Sequence, residues 1–359
     1  MTQPTTKDTA ARISTKPGDN NQPAPALSKD DADVVKRLRE ARQRVKDEMA
    51  KVVVGQDEIV DHMLIGLLCR GHVLLHGVPG LGKTLMGRTL ARTLDMEFKR
   101  IQFTPDLMPS DITGTDVMEE DHTTGKHKLQ FLPGPVFTNF LLADEINRTP
   151  PKTQAALLQA MQEREVSVGT QTFTLQPPFF VVATQNPIEM EGTYPLPEAQ
   201  VDRFMFNLRV KYPTVDEEVQ IIKGTTSTLT AEASKVMAAE EVVRLQDLVR
   251  GVPIADSVVR YVARLVSHTR PGEVPADQSI HKYISYGASP RASQYLVLGA
   301  KARAILSGKY HVDFADITAI AHPVLRHRLV LNFHARADSV DSDMLVDRIL
   351  KAVPTEERT

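Results

Sequence analysis

The chain has 359 residues, enough at roughly 100 to 200 residues per domain for two or three domains with buried cores. Hydrophobic residues make up 42%, charged residues 25% and aromatics only 5%, with no Trp, which excludes collagen-like, mucin-like and wholly disordered chains. Lys and Arg number 43 against 45 Asp and Glu, a formal charge of -2, so no global field draws the protein to nucleic acid or to an anionic membrane. The only cysteine, Cys69, cannot form a disulfide within the chain, and the N-terminus lacks the apolar run of a secretory signal. No apolar stretch approaches the roughly 20 residues of a membrane span and no C-terminal lipidation box is present. The expectation is a soluble, cytoplasmic protein without membrane insertion.

Residues 1–27 are rich in Thr, Pro, Asn and Gln and too poor in large apolar residues to offset their ordering entropy, which predicts a disordered tail. Ser28 and Asp31 have the spacing of a capping box, and Val34, Leu38, Ala41, Val45 and Met49 then recur at helical spacing to about Ala50. A second helix over 57–69 leads into the apolar run 72–76, read as a central strand. Helix 83–94, strand 98–103, strand 137–143, helix 151–163 and strand 179–184 follow. This alternation predicts a parallel sheet with helices on both faces. Two β-hairpins interrupt it, one over 117–131 with Thr-Thr-Gly at its middle and one over 166–175 with a Gly-Thr-Gln turn. From about Pro213 the periodicity is helical: Thr214 and Glu217 form a capping box, and amphipathic stretches lie near 239–250, 255–268, 290–306, 313–330 and 341–353. The division expected is therefore a tail (1–27), an α/β core (28–212) and a separate helical domain (213–359).

Gly77, Val78, Pro79, Gly80, Leu81, Gly82, Lys83 and Thr84 fit G-x-x-x-x-G-K-[ST], placed directly after a strand and opening a helix with Leu85. Glycines let backbone N–H groups wrap phosphates without Cβ clashes, and the helix N-terminus adds a favourable dipole. Lys83 is expected to contact the β and γ phosphates of a nucleotide, and Thr84 to ligate Mg²⁺. The strand ending at Asp144 and Glu145 carries two carboxylates at its carboxyl end, where ligands collect in open α/β sheets. Asp144 is expected to hold the Mg²⁺ through its water shell, and Glu145 to orient and polarise the attacking water. An acidic pair is by itself more often a helix cap or a surface charge; its position some sixty residues after a phosphate turn is what favours chemistry.

With these residues in view, the chain resembles the MoxR family of AAA+ ATPases over nearly everything after the tail. The segments that carry the likeness are 54–56 (VGQ), 77–84, 132–135 (LPGP), 143–148 (ADEINR), 183–187 (ATQNP), 196–204 (LPEAQVDRF) and 287–291 (GASPR). The resemblance implies an AAA+ parallel-sheet P-loop core with β-hairpin inserts followed by an all-α lid, and nucleotide bound at the subunit boundaries of a homo-oligomeric ring, commonly a hexamer. It also implies that Asn186 is a sensor at a strand end, that Arg203 is an arginine finger supplied to the neighbouring subunit, that Arg291 is a lid arginine reaching the γ-phosphate, and that Val54, Gly55 and Gln56 line the adenine pocket. ATP and Mg²⁺ are then the cofactors. The activity implied is ATP hydrolysis driving a chaperone-like remodeller that matures partner proteins, often ones with von Willebrand factor A domains.

Two other classes compete. A DNA-acting ring motor shares the insert-bearing clade, but the near-neutral charge, the scarcity of aromatics and the mixed charge of the first hairpin (Glu119, Glu120 and Asp121 beside Lys126 and Lys128) speak against nucleic acid. A nucleotide-gated scaffold without turnover is opposed by the intact Asp144, Glu145, Asn186 and Arg203. Arg148, just beyond Glu145, either acts across the subunit boundary or pairs locally with a carboxylate, and the local pairing is the favoured expectation. His322 and His327 lie five apart, which separates them around a helix, so no structural zinc is expected.

Overall fold

The computed structural model describes residues 29–120, 127–188, 192–227, 231–273, 277 and 279–355. The tail at 1–27, the capping box at Ser28 and Asp31, and the Thr-Thr-Gly turn at 123–125 lie outside what it describes. The chain runs α1 (Lys29–Ala50), α2 (Asp57–Leu68), β1 (Val73–His76), α3 (Lys83–Thr93), β2 (Phe98–Gln102), α4 (Pro109–Thr113), β3 (Gly114–Glu120), β4 (His127–Pro133), β5 (Phe140–Asp144), α5 (Pro151–Glu163), β6 (Glu165–Val168), β7 (Gln171–Thr174), β8 (Phe180–Gln185), α6 (Glu198–Val201) and β9 (Phe206–Arg209). It continues with α7 (Val215–Thr225), α8 (Ala239–Gly251), α9 (Asp256–Ser267), β10 (Ile284–Tyr286), α10 (Pro290–Leu306), α11 (Phe314–Leu325), β11 (Val330–Leu331), α12 (Phe333–Ala337) and α13 (Ser342–Ala352).

The central sheet is parallel throughout, in the order β2-β5-β8-β1-β9. Its middle strands are nearly continuous apolar runs because both faces are covered. Successive side chains alternate between two cores. Val73, Leu75, Leu142 and Val182 face α2, α3 and the lid helices, whereas Leu74, Leu141, Ala143 and Val181 face α4 and α5. β3–β4 and β6–β7 are antiparallel hairpins inserted at the positions read from the sequence.

β9 is not among the strands read from the sequence. Its residues Phe206, Asn207, Leu208 and Arg209 do alternate apolar with polar, but so short an alternation does not by itself separate a strand from its surroundings, and the strand is defined by pairing with β1, Phe206 opposite Val73. Strand β5 begins at Phe140 instead of at 137; Phe137 lies in the preceding turn and packs edge-on against Phe131 and Phe173. The helical lid also carries short β pairings, the two-rung ladder of β10 with β11 and a parallel bridge between Ile254 and Val312, and the amphipathic stretch 313–330 ends as a helix at Leu325. The capping box at Thr214 and Glu217 is present, with Glu217 N donating to Thr214 Oγ1 and Thr214 N to Glu217 Oε2. Among the described residues no helix is long and apolar enough to cross a membrane.

Candidate nucleotide site

Sheet order decides what meets what. β5, β8 and β1 are neighbours, so the turn after β1, the acids at the end of β5 and Asn186 just past β8 lie side by side along the carboxyl edge of the sheet. The amide of Gly77 donates to the carbonyl of Gln185 (3.2 Å), which ties the phosphate turn directly to the β8 end. Gly80 and Gly82 take positive φ (+84° and +72°) with open space where a Cβ would be, so their requirement is conformational. Gly77 is different: a Cβ there would come 2.9 Å from Val210 Cβ.

Lys83 opens α3 and is buried, its Nζ donating to the carbonyls of Gly77 (2.5 Å) and Val78 (3.2 Å). Burial pulls its ammonium below the usual lysine range, opposed by the nearby charges of Asp144 and Glu145.

Asp144 is buried at the β5 end. Its Oδ1 accepts from Thr184 Oγ1 (2.6 Å) and its Oδ2 from Arg100 Nε (3.1 Å) and Nη2 (2.7 Å). Glu145 follows in the left-handed region (φ 58°, ψ 49°), a conformation that costs a non-glycine residue about 1–3 kcal/mol and is retained where the surroundings impose it. Here they do: its amide donates to Thr184 Oγ1 (2.8 Å), and its Oε2 accepts from Gln102 Nε2 (3.0 Å) and from Arg148 (3.0 Å). Arg148 thus pairs with a carboxylate of its own chain.

Asn186 is buried, and its two side-chain atoms part company. Oδ1 accepts from the amide of Ile188 (3.1 Å), the turn-capping role open to any Asn before a Pro, while Nδ2 is buried without an acceptor. A buried amide donor left unpaired costs about 1–3 kcal/mol, so its persistence at this edge of the sheet calls for an explanation. The 54–56 loop, read from the sequence as part of the site, also reaches this edge. Gln56 Nε2 donates to the carbonyl of Lys211 (3.2 Å), and Gly55 (φ +75°) lies where a Cβ would touch the Glu217 carboxyl. Leu85, at the start of α3, is exposed beside the turn.

The two remaining arginines are elsewhere. Met205 N donates to the His72 carbonyl, so the segment 202–205 enters β9 at the amino end of β1, opposite the phosphate turn of the same chain. Arg203 is half-exposed there. Arg291, one residue inside α10 after Pro290, lies with Nη1 3.9 Å from Asp202 Oδ2. Arg291 therefore accompanies Arg203, at the sheet edge opposite its own chain's phosphate turn.

Arg100, Gln102 and Thr184 belong to the site and had not been singled out. The strand-end rule that found Asp144 applies equally to Gln102, but it needs the knowledge that β2 neighbours β5. Thr184 is one residue before the end of its strand, and nothing in its local sequence marks it.

Residues 72–206 match the family described as ATPase family associated with various cellular activities (AAA), and residues 276–349 match the AAA lid domain. Chaperone MoxR1 of Mycobacterium tuberculosis is 45% identical over 313 residues, 87% of this chain and 81% of the relative. This chain belongs to the MoxR family of AAA+ ATPases. Protein MoxR of Methylorubrum extorquens is 31% identical over 335 residues, covering 88% of this chain and 95% of its own. A crystal structure of a Cytophaga hutchinsonii protein superposes with a TM-score of 0.82 at 41% identity, covering 91% of this chain and 98% of that one. The MoxR fold thus accounts for the parallel core, the paired hairpins and the lid together.

Proposed function

We propose that this MoxR protein binds ATP with Mg²⁺ and hydrolyses it at the boundary between two copies of the chain, and that the 28–212 core and 213–359 lid use the cycle to remodel a protein client. The observation that carries the reading is the convergence of Lys83, Asp144, Glu145 and the unpaired Nδ2 of Asn186 on one edge of the sheet. Attack of water on the γ-phosphate gives ADP and phosphate. Lys83 balances the β and γ charges, Glu145 orients the water and takes up its proton, and Asn186 Nδ2 donates to the γ-phosphate oxygen as charge moves onto it. The hydroxyl of Thr84 and the carboxylate of Asp144 form a hard-oxygen pair suited to Mg²⁺, which when bound supplies charge neutralisation of the phosphates. Val54, Gly55 and Gln56 are assigned to the base.

Arg203 and Arg291 face away from their own phosphate turn, which supports their service to a neighbouring nucleotide and hence a closed, head-to-tail ring, a hexamer by family analogy. A protein client is favoured over nucleic acid by the exposed apolar side chains of the first hairpin, Met118 opposite Leu129 on one face and Val117 and Leu132 on the other. Partners bearing von Willebrand factor A domains remain the client class assigned by family.

The test is Mg²⁺-dependent phosphate release by purified protein. Glu145→Gln should keep ATP binding and lose turnover by about 10²–10⁴-fold. Arg203→Ala should lose turnover and, mixed with wild type, should depress it in proportion to its share of the ring. Wild-type turnover in either variant removes that residue from its role.

A further inference from the structure

The lid grips the polypeptide on both sides of Arg203. Arg328, just beyond α11, is almost entirely buried, with a side chain only 1% exposed. All five of its N–H donors find acceptors. Nε donates to Asp202 Oδ1 (2.7 Å), Nη2 to the carbonyls of Asp202 (2.9 Å) and Phe204 (2.6 Å), and Nη1 to those of Met205 (3.3 Å) and Val324. Its guanidinium lies over the ring of Tyr295, 5.2 Å from the centroid, and the Tyr295 hydroxyl donates to the carbonyl of Arg203 (3.2 Å). His327 Nε2 adds a bond to the Phe204 carbonyl (3.1 Å). Four consecutive carbonyls, Asp202 to Met205, are thus held by lid side chains, whereas none of these bonds engages the Arg203 side chain itself.

We propose that Arg328 is a positioning residue that fixes the orientation in which Arg203 is presented to a neighbouring chain, so that the lid of one subunit sets the competence of the next subunit's site; this rests on the reading of Arg203 as acting in trans. The planar five-donor fork is what the task requires, because it spans the carboxylate and three backbone carbonyls of one short segment at once. A lysine has a single nitrogen at the end of a flexible stem and cannot reproduce that span. Arg291, 3.9 Å from the same Asp202, is carried on the same framework. A rotation of the lid relative to the sheet therefore has to shift segment 202–205 with it. The alternative is a buried ion pair that merely bolts lid to core, which would cost stability and leave no signature specific to the neighbouring site.

Three full-length variants, Arg328→Lys, Tyr295→Phe and Arg203→Ala, are each assayed alone and mixed with Glu145→Gln, alongside thermal melting and binding of a fluorescent ATP analogue. Arg328→Lys should bind the analogue within about two-fold of wild type, because its own phosphate turn is untouched, and lose kcat by about a hundred-fold, the scale of a misplacement near 1 Å. Tyr295→Phe, which removes a single hydroxyl, should lose several-fold. Mixing either with Glu145→Gln should raise turnover above both parents, since one partner contributes an intact phosphate site and the other a correctly held Arg203. Wild-type kcat in both variants overturns the proposal. So does a loss that Glu145→Gln fails to rescue while it does rescue Arg203→Ala, for that is the behaviour of a purely structural bolt. If Arg203→Ala is not rescued either, the trans reading falls and this proposal with it. Should Arg328→Lys fail to fold, Tyr295→Phe decides by the same criteria.

Discussion

The hydroxyl of Thr184 donates to the carboxylate of Asp144 at 2.6 Å and accepts the amide hydrogen of Glu145 at 2.8 Å, so one side chain on β8 locates both acids of β5. The sheet register makes this possible, because Ala143 lies opposite Ala183 and the next rung brings Asp144 to Thr184. Thr184→Val preserves shape and removes both bonds. We expect it to cost about 1–3 kcal/mol of stability, since a buried carboxylate oxygen and a backbone amide lose their partner. Turnover should drop by about ten- to a hundred-fold with little change in ATP affinity, read by phosphate release and analogue binding.

Asn186→Ala removes the buried Nδ2 that has no acceptor. Because that donor is unpaired in the free protein, its deletion costs little stability; the lost bond to the Ile188 amide is the only structural debit. Turnover should decline by about 10²–10³-fold, the usual effect of deleting one oxyanion donor, while ATP still binds. A large fall in melting temperature with normal turnover would mean that Asn186 is a turn cap alone.

The two inserted hairpins are coupled through rings. Phe131 of β4 stacks on Phe173 of β7 at 4.1 Å and 15°, and Phe137 closes the cluster edge-on to both. Such a pair contributes about 0.5–1.5 kcal/mol beyond its area. Phe173→Ala should therefore lower stability by about 1–2 kcal/mol and speed amide hydrogen exchange in β3 and β4, which share no backbone ladder with β7. Unchanged exchange there would show that the hairpins move independently.

Acid should destabilise the fold through His72. The ring accepts from the Val181 amide at Nδ1 and donates to the Met161 carbonyl at Nε2, and burial pulls its pKa down to about 4 from the ordinary 6.5. Between pH 6.5 and 4 the unfolded chain takes up a proton that the folded chain refuses. Stability is therefore fully present above pH 6.5 and declines as pH falls through this window, by about 1.4 kcal/mol per pH unit for this group, levelling off below pH 4. His327, buried and also held well below its ordinary value, adds in the same direction. Urea melts at pH 7, 6 and 5 should show the slope, and His72→Gln should make it shallower.

The phosphate turn and the acidic pair were legible because each is contiguous: Gly77 to Thr84 and Asp144 with Glu145 carry their geometry in adjacent residues, and the strands before them announce themselves by burial on both faces. The hairpins and the α7 cap were legible for the same reason. β9 was missed although Phe206 to Arg209 alternate apolar with polar, because four alternating residues do not stand out as a strand until they pair with β1. Gln102 and Thr184 are ordinary polar residues until β2 and β8 are set on either side of β5.

The distinction between a lid arginine acting on its own nucleotide and one acting on a neighbour's could not come from motif order. The sequence by itself determined the phosphate-binding turn, the acids and the division into sheet core and helical lid, because backbone conformation and hydrophobic period are local properties of a few consecutive residues. Only the tertiary structure decided that Arg203 and Arg291 share the sheet edge opposite Lys83, and that Arg328, more than a hundred residues away along the chain, closes over the backbone around Arg203. Those relationships depend on which strand lies beside which and on where the lid packs, and packing against distant surfaces leaves no periodic trace in the segments that it joins.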